Sequence, residues 1–103
     1  MSAPRESVLD RTRHDERLAR PRLWRVLLHN DDYTTQEFVV WVLETVFSRT
    51  PEEAVAIMLA VHRGGVGVAG VFTRDVAETK ARTAQQLAEQ HEFPLRVTAE
   101  PEA

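Results

Sequence analysis

Residues 24–47, WRVLLHNDDYTTQEFVVWVLETVF, decide the fold. Trp24, Val26 and Leu28 alternate with Arg25 and Leu27, the period-two pattern of a strand with one face toward a core. The apolar run stops at His29. Asn30, Asp31, Asp32 and Thr34 follow, residues whose short polar side chains bond nearby backbone and favour turns. Thr34 with Glu37 three residues on has the form of a capping box, in which each side chain satisfies the other residue's free amide. Phe38, Val39, Val42, Leu43, Val46 and Phe47 then recur at spacings of one, three and four, which predicts a helix with a wide apolar stripe.

Working outward, Thr50-Pro51-Glu52-Glu53 is a second helix start. Thr50 caps, Pro51 sits where a missing N–H costs nothing, and Glu53 closes the box. Ala54, Ile57, Met58, Val61 and His62 keep the helical period until Gly64-Gly65 stops it. Residues 66–72 are β-branched and glycine-interrupted, a strand with close backbone contacts. Thr73 opens a third helix with Asp75 in its first turn, favoured by the positive helix end. It runs to about His91 with Val76, Ala77, Ala81, Ala84, Leu87 and Ala88 inward. After Pro94, residues 95–98 alternate as a last strand, and residues 100–103 read as a polar tail. The order β-α-α-β-α-β, without internal repeat, predicts one small α/β (α+β) domain over residues 22–103: a three-stranded antiparallel sheet packed against three helices. Residues 1–21 mix charges of both signs without a clean period and read as a flexible N-terminal extension.

Composition narrows the function. The chain has 103 residues, 43% of them hydrophobic, enough for a packed core. A formal net charge of −3 argues against nucleic acid as partner, since phosphate binding wants a basic surface. The absence of cysteine excludes disulfide frameworks, thiol catalysis and zinc ribbons. With no apolar stretch of the ~20 residues a membrane span needs and no apolar leader, a cytoplasmic protein is expected.

The turn gathers more negative charge than a turn needs. Asn30, Asp31 and Asp32 each suit a strand-to-helix connection, but adjacent carboxylates repel, and a cationic ligand would relieve that. Met58, Val61 and His62 share one face of the second helix, spaced three and four apart. Val39 and Val42 lie on the stripe of the first. If the turn meets the end of the second helix, the result is an apolar cup with an acceptor-rich rim. A primary ammonium has three donors. Asn30 can supply an amide oxygen, Asp31 a carboxylate and neutral His62 a ring nitrogen. Charge-assisted bonds contribute ~1.5–3 kcal/mol each, and a buried Leu or Phe side chain a similar ~1.5–3 kcal/mol. After ordering costs, a micromolar complex of ~8 kcal/mol is a reasonable ceiling. Such a site reads a free α-amine and a large apolar first side chain together.

Three separated blocks, VLLHNDDYTTQEFV, MLAVH and GVFTRDVAETK, resemble ClpS, the bacterial adaptor that hands proteins with a destabilising N-terminal residue to a Clp ATPase-protease. The resemblance runs without a gap from about Trp24. It implies a non-enzymatic adaptor, without cofactor, for N-degron substrates that begin with Phe, Tyr, Trp or Leu. Asn30, Asp31 and His62 would hold the α-amine. Asp32 and Thr34 would shape the mouth, and Val39, Met58, Val61 and Leu95 would line the pocket. Thr35-Gln36 stand where the family often has Pro-Met, a Met that screens out β-branched side chains, so Gln36 takes that rim position. Lys80 matches, and Asp75 replaces the usual Glu, on the surface that grips the N-terminal domain of the ATPase, ClpA or ClpC. The N-terminal extension would be fed toward the ATPase pore.

Two other readings remain at this point. A small metal-dependent enzyme could use His29, Asp31, Asp32 and His62, which are zinc-ligand types, although no metalloenzyme spacing such as H-E-x-x-H appears. A pocketless interaction scaffold is also open to a small α/β fold.

Overall fold

The computed structural model describes residues 22–102. The extension expected at residues 1–21 lies outside them, as does Ala103. β1 (Leu23–His29) is the central strand, flanked by β2 (Val66–Thr73) and β3 (Arg96–Pro101) in the order β2-β1-β3, antiparallel to both. Val26 and Leu28 are 0% exposed, as their alternation requires. The intervening residues point the other way. There Arg25 pairs with Glu100 at 2.7 Å, and His29 Nε2 lies 2.7 Å from Thr98 Oγ1.

α1 (Gln36–Thr45), α2 (Pro51–Gly64) and α3 (Arg74–Gln90) complete the core. Phe38, Val39, Val42, Leu43, Val46 and Phe47 are all buried. At α2 the expected box is complete: the Thr50 hydroxyl accepts from the Glu53 amide at 3.2 Å, and the Thr50 amide donates to Glu53 Oε1 at 3.0 Å. Gly65, at φ 90°, closes α2 in the left-handed region, where glycine carries no side-chain penalty.

Several boundaries differ from expectation. The cap of α1 is Thr35 and not Thr34: the Thr35 hydroxyl accepts from the Phe38 amide at 3.1 Å, because the Thr34 hydroxyl is engaged by Asp31. Thr73 occupies the cap position of α3 without a side-chain bond. On α3, Ala77, Ala81, Ala84 and Ala88 face inward, but Val76 is 43% exposed, because one residue before Ala77 lies about 100° around the helix. β3 starts at Arg96 and extends to Pro101, so Glu100 belongs to a strand and not to a polar tail. It pairs with Arg25, 75 positions away, within a ladder that runs from Val26–Ala99 to Trp24–Pro101.

Two long basic side chains tie elements together. Val26 pairs with Gly70 and Leu27 with Val68, which leaves Ala69 as the extra residue of a bulge in β2. The Arg49 guanidinium donates to the Ala69 carbonyl at 2.8 Å. The Lys80 ammonium donates to the Val46 carbonyl at 2.8 Å, satisfying an open acceptor at the end of α1, and lies 5.4 Å from the Phe72 ring centre. Lys80→Met keeps the apolar stem and removes both interactions. It is expected to cost about 1–2 kcal/mol, read as a lower melting temperature in circular dichroism; an unchanged melt would mean that water replaces the bond at no cost.

Candidate functional site

β1 delivers the chain to the turn, and a backbone bond fixes where the turn sits. The Asn30 amide donates to the Gly65 carbonyl at 2.9 Å. This joins the strand's end to the end of α2, whose last turn carries His62. Asp31 then folds the next residues around its carboxylate. Oδ1 accepts from the amides of Tyr33 at 2.8 Å and Thr34 at 2.7 Å, and Oδ2 accepts from the Thr34 hydroxyl at 2.6 Å. Partial burial works against the charged form, but the Thr34 hydroxyl and amide and the Tyr33 amide outweigh it and hold the Asp31 carboxyl below its ordinary value.

Turn, α1 and α2 enclose a cavity of about 390 Å³, within the usual size range of small-ligand sites. Its lining divides by chemistry. Asn30, Asp32, Gln36 and His62 are exposed polar residues, with Asp31 and Thr34 half-buried beside them. Val39, Met58 and Val61 are buried apolar ones, at 6%, 9% and 3% exposure. The structure therefore brings these nine sequence-predicted residues to one hollow. Tyr33 and Thr35 line it too; their only signal in the sequence was their place inside the turn. Asp31 is the carboxylate that the turn itself uses, while the exposed Asp32 stands outside that hydrogen-bond network.

Leu95 does not join them. It is 1% exposed, packed in the core, and absent from the cavity wall. Gln85 explains its position: its amide nitrogen donates to the Leu95 carbonyl at 2.8 Å and its oxygen accepts from the Val97 amide at 3.0 Å, which pins the start of β3 to α3.

The metal-enzyme reading fails on geometry. His29 points to the sheet face away from the helices and is engaged with Thr98, so it cannot join Asp31, Asp32 and His62. Among the described residues no three His, Asp or Glu side chains come together as a ligand set. The pocketless scaffold is overturned by the cavity itself. On α3, Asp75 and Lys80 border a shallow hollow with Val76 and Thr79, none of which lines the first cavity. No described helix is long and apolar enough to cross a membrane.

Comparison with known proteins agrees. The family described as "ATP-dependent Clp protease adaptor protein ClpS" matches residues 19–98. The chain is 53% identical over 96 residues to the ATP-dependent Clp protease adapter protein ClpS of Myxococcus xanthus, covering 93% of this chain and 90% of that one. It is 56% identical over 99 residues to the ClpS of Deinococcus radiodurans, covering 96% and 84%. The solved structure of Agrobacterium tumefaciens ClpS2 bound to L-phenylalaninamide superposes with a TM-score of 0.78 at 47% identity, covering 81% of this chain and 100% of that one. With a family match across most of its length and close relatives that share it nearly end to end, this chain belongs to the ClpS family of Clp protease adaptors.

Proposed function

We propose that this protein is a non-enzymatic cytoplasmic adaptor that binds the free N-terminus of proteins beginning with Phe, Tyr, Trp or Leu and delivers them to a Clp AAA+ ATPase-protease. The observation that carries the reading is the 2.9 Å bond from Asn30 to Gly65, which sets the acceptor-rich turn against the His62 end of α2 over an apolar hollow. An α-ammonium at that rim would donate to Asn30 and His62. Asp31 and Asp32 would supply the negative charge. Because Asp31 already accepts three bonds, we assign the remaining direct contact to Asp32 as much as to Asp31. Val39, Met58 and Val61 would take the first side chain, with Thr34 and Gln36 at the mouth. Phenylalaninamide, the ligand of the A. tumefaciens relative, has these two features.

Asp75, Val76 and Lys80 are our candidates for the surface that meets the N-terminal domain of ClpA or ClpC, with residues 1–21 as the extension offered to the ATPase. An exposed valine beside charged neighbours suits a protein contact. The test is fluorescence anisotropy with peptides that differ only in their first residue. Changing Phe to Ala is expected to weaken binding by ~10–100-fold, the value of burying the larger side chain. Equal affinity for both peptides would refute the apolar half of the reading.

A further inference from the structure

We infer that Gly67 sets the width of the cavity by acting through Val61, as a positioning residue that determines which first side chains fit; this rests on the recognition reading above. Gly67 is buried in β2 opposite Leu28, on the face that packs against α2. A Cβ at this position would stand 2.7 Å from Val61 Cγ2, 3.2 Å from the Ile57 carbonyl oxygen and 3.5 Å from Ile57 Cγ2. Atoms do not approach at 2.7 Å without displacement, so something must yield.

The alternatives are few. Val61 is β-branched and helical, so one rotamer is strongly preferred and rotation is costly. The Ile57 oxygen is backbone and moves only with α2. Val61 touches both Gly67 and the hollow: its Cγ2 is the atom a residue-67 Cβ would meet, and the residue lines the cavity. Relief on either route drives Val61, or the last turns of α2 with Met58 and His62, away from the sheet and into the ligand's space. The missing side chain at residue 67 is thus what leaves room for a wide ring. An aromatic first residue loses more from a narrowed hollow than the slimmer leucine.

Gly70 provides the control. A Cβ there would meet the Phe72 ring at 2.5 Å, but Phe72 does not line the cavity. Gly70→Ala therefore strains the same strand without touching the site.

The experiment compares Phe- and Leu-initiated peptides by anisotropy on wild type, Gly67→Ala, Gly70→Ala, Val61→Ala and the Gly67→Ala/Val61→Ala double variant. Gly67→Ala is expected to lower the Phe-to-Leu affinity ratio by about tenfold, and Gly70→Ala to leave it unchanged. The double variant is expected to lie between Gly67→Ala and Val61→Ala, because the clashing methyl is gone but the 3.2 Å approach to the Ile57 carbonyl oxygen remains. A wild-type ratio in Gly67→Ala, or an equal shift in Gly70→Ala, overturns the inference. If Gly67→Ala does not fold, the double variant decides: a Phe-to-Leu ratio equal to that of Val61→Ala within about twofold means that a methyl at residue 67 does not narrow the hollow and overturns the inference equally. Wild-type protein that binds neither peptide strikes the recognition reading instead, so the two failures are distinct.

Discussion

A peptide beginning with phenylalanine is expected to lose all measurable binding when its first amine is acetylated. Acetylation removes the positive charge and leaves one N–H where three donors stood. Two charge-assisted bonds at about 2 kcal/mol each correspond to ~1000-fold in affinity. The carboxylates of Asp31 and Asp32 also keep their mutual repulsion without a counter-ion. The acetyl group must in addition fit among Asn30, Asp32 and His62 at a rim built for a small head group. Anisotropy at peptide concentrations well above the free-amine dissociation constant is the measurement. Equal binding of the acetylated and free peptides would show that the hollow reads the side chain alone.

Asp31→Ala is the protein-side counterpart, with an expected loss of ~100-fold in peptide affinity. The substitution deletes three bonds at 2.6–2.8 Å that fold residues 31–34 around one carboxylate. Without them the amides of Tyr33 and Thr34 lose their acceptor, and the rim positions of Asp32 and Gln36 lose their anchor. Asp31→Asn keeps one acceptor oxygen for the two amides but turns an NH2 toward the Thr34 hydroxyl and removes the charge, so it should fall between alanine and wild type. Isothermal titration against a Phe-initiated peptide reads the order. Wild-type affinity in Asp31→Ala would mean that the turn is held by its backbone alone.

The sign of the pH effect follows from the same contacts. The Asp31 carboxyl is held below its ordinary value of 3.8, so its contribution to stability is fully present above that value and is lost as pH falls through the lower folded value. Between about pH 8 and pH 5 the Asp31 network therefore contributes a constant amount. A thermal melt should show its loss only in stronger acid, and should show that loss disappear in Asp31→Ala.

Much of the fold was legible because local and global signals agree. The alternation of Trp24, Val26 and Leu28 matches the burial found in β1, and the Thr50–Glu53 box and the Gly64-Gly65 stop mark both ends of α2. The failures occurred where the decision belongs to contacts distant in sequence or to two equivalent neighbours. Thr34 and Thr35 are equally good caps by type, and the spacing to Glu37 favours Thr34. Only the claim of Asp31 on the Thr34 hydroxyl decides between them, and that bond depends on how the turn folds. β3 could not be bounded from its own residues, because residues 99–101 are strand only through their ladder to Val26, Arg25 and Trp24 of β1. Leu95 entered through family likeness, but Gln85 draws it into the core. The nine residues that do meet at the hollow come from three segments: core packing brings α1 and α2 together, and the Asn30–Gly65 backbone bond, which no side-chain pattern announces, ties the turn to the end of α2.

The bulge at Ala69 has a consequence for behaviour in concentrated solution. β2 is an outer strand, reads VGVAGVFT without a single charge, and shows Val66, Val68 and Val71 to solvent. A flat strand of that composition is a template for association between copies, growing by ladder addition into insoluble assemblies. Here the ladder is broken at Ala69, and the carbonyl left over is held by Arg49 at 2.8 Å. A molecule sliding alongside meets a kink and a guanidinium in place of a row of open acceptors. Arg49, which does not line the hollow, thus closes one acceptor on an otherwise uncharged outer strand.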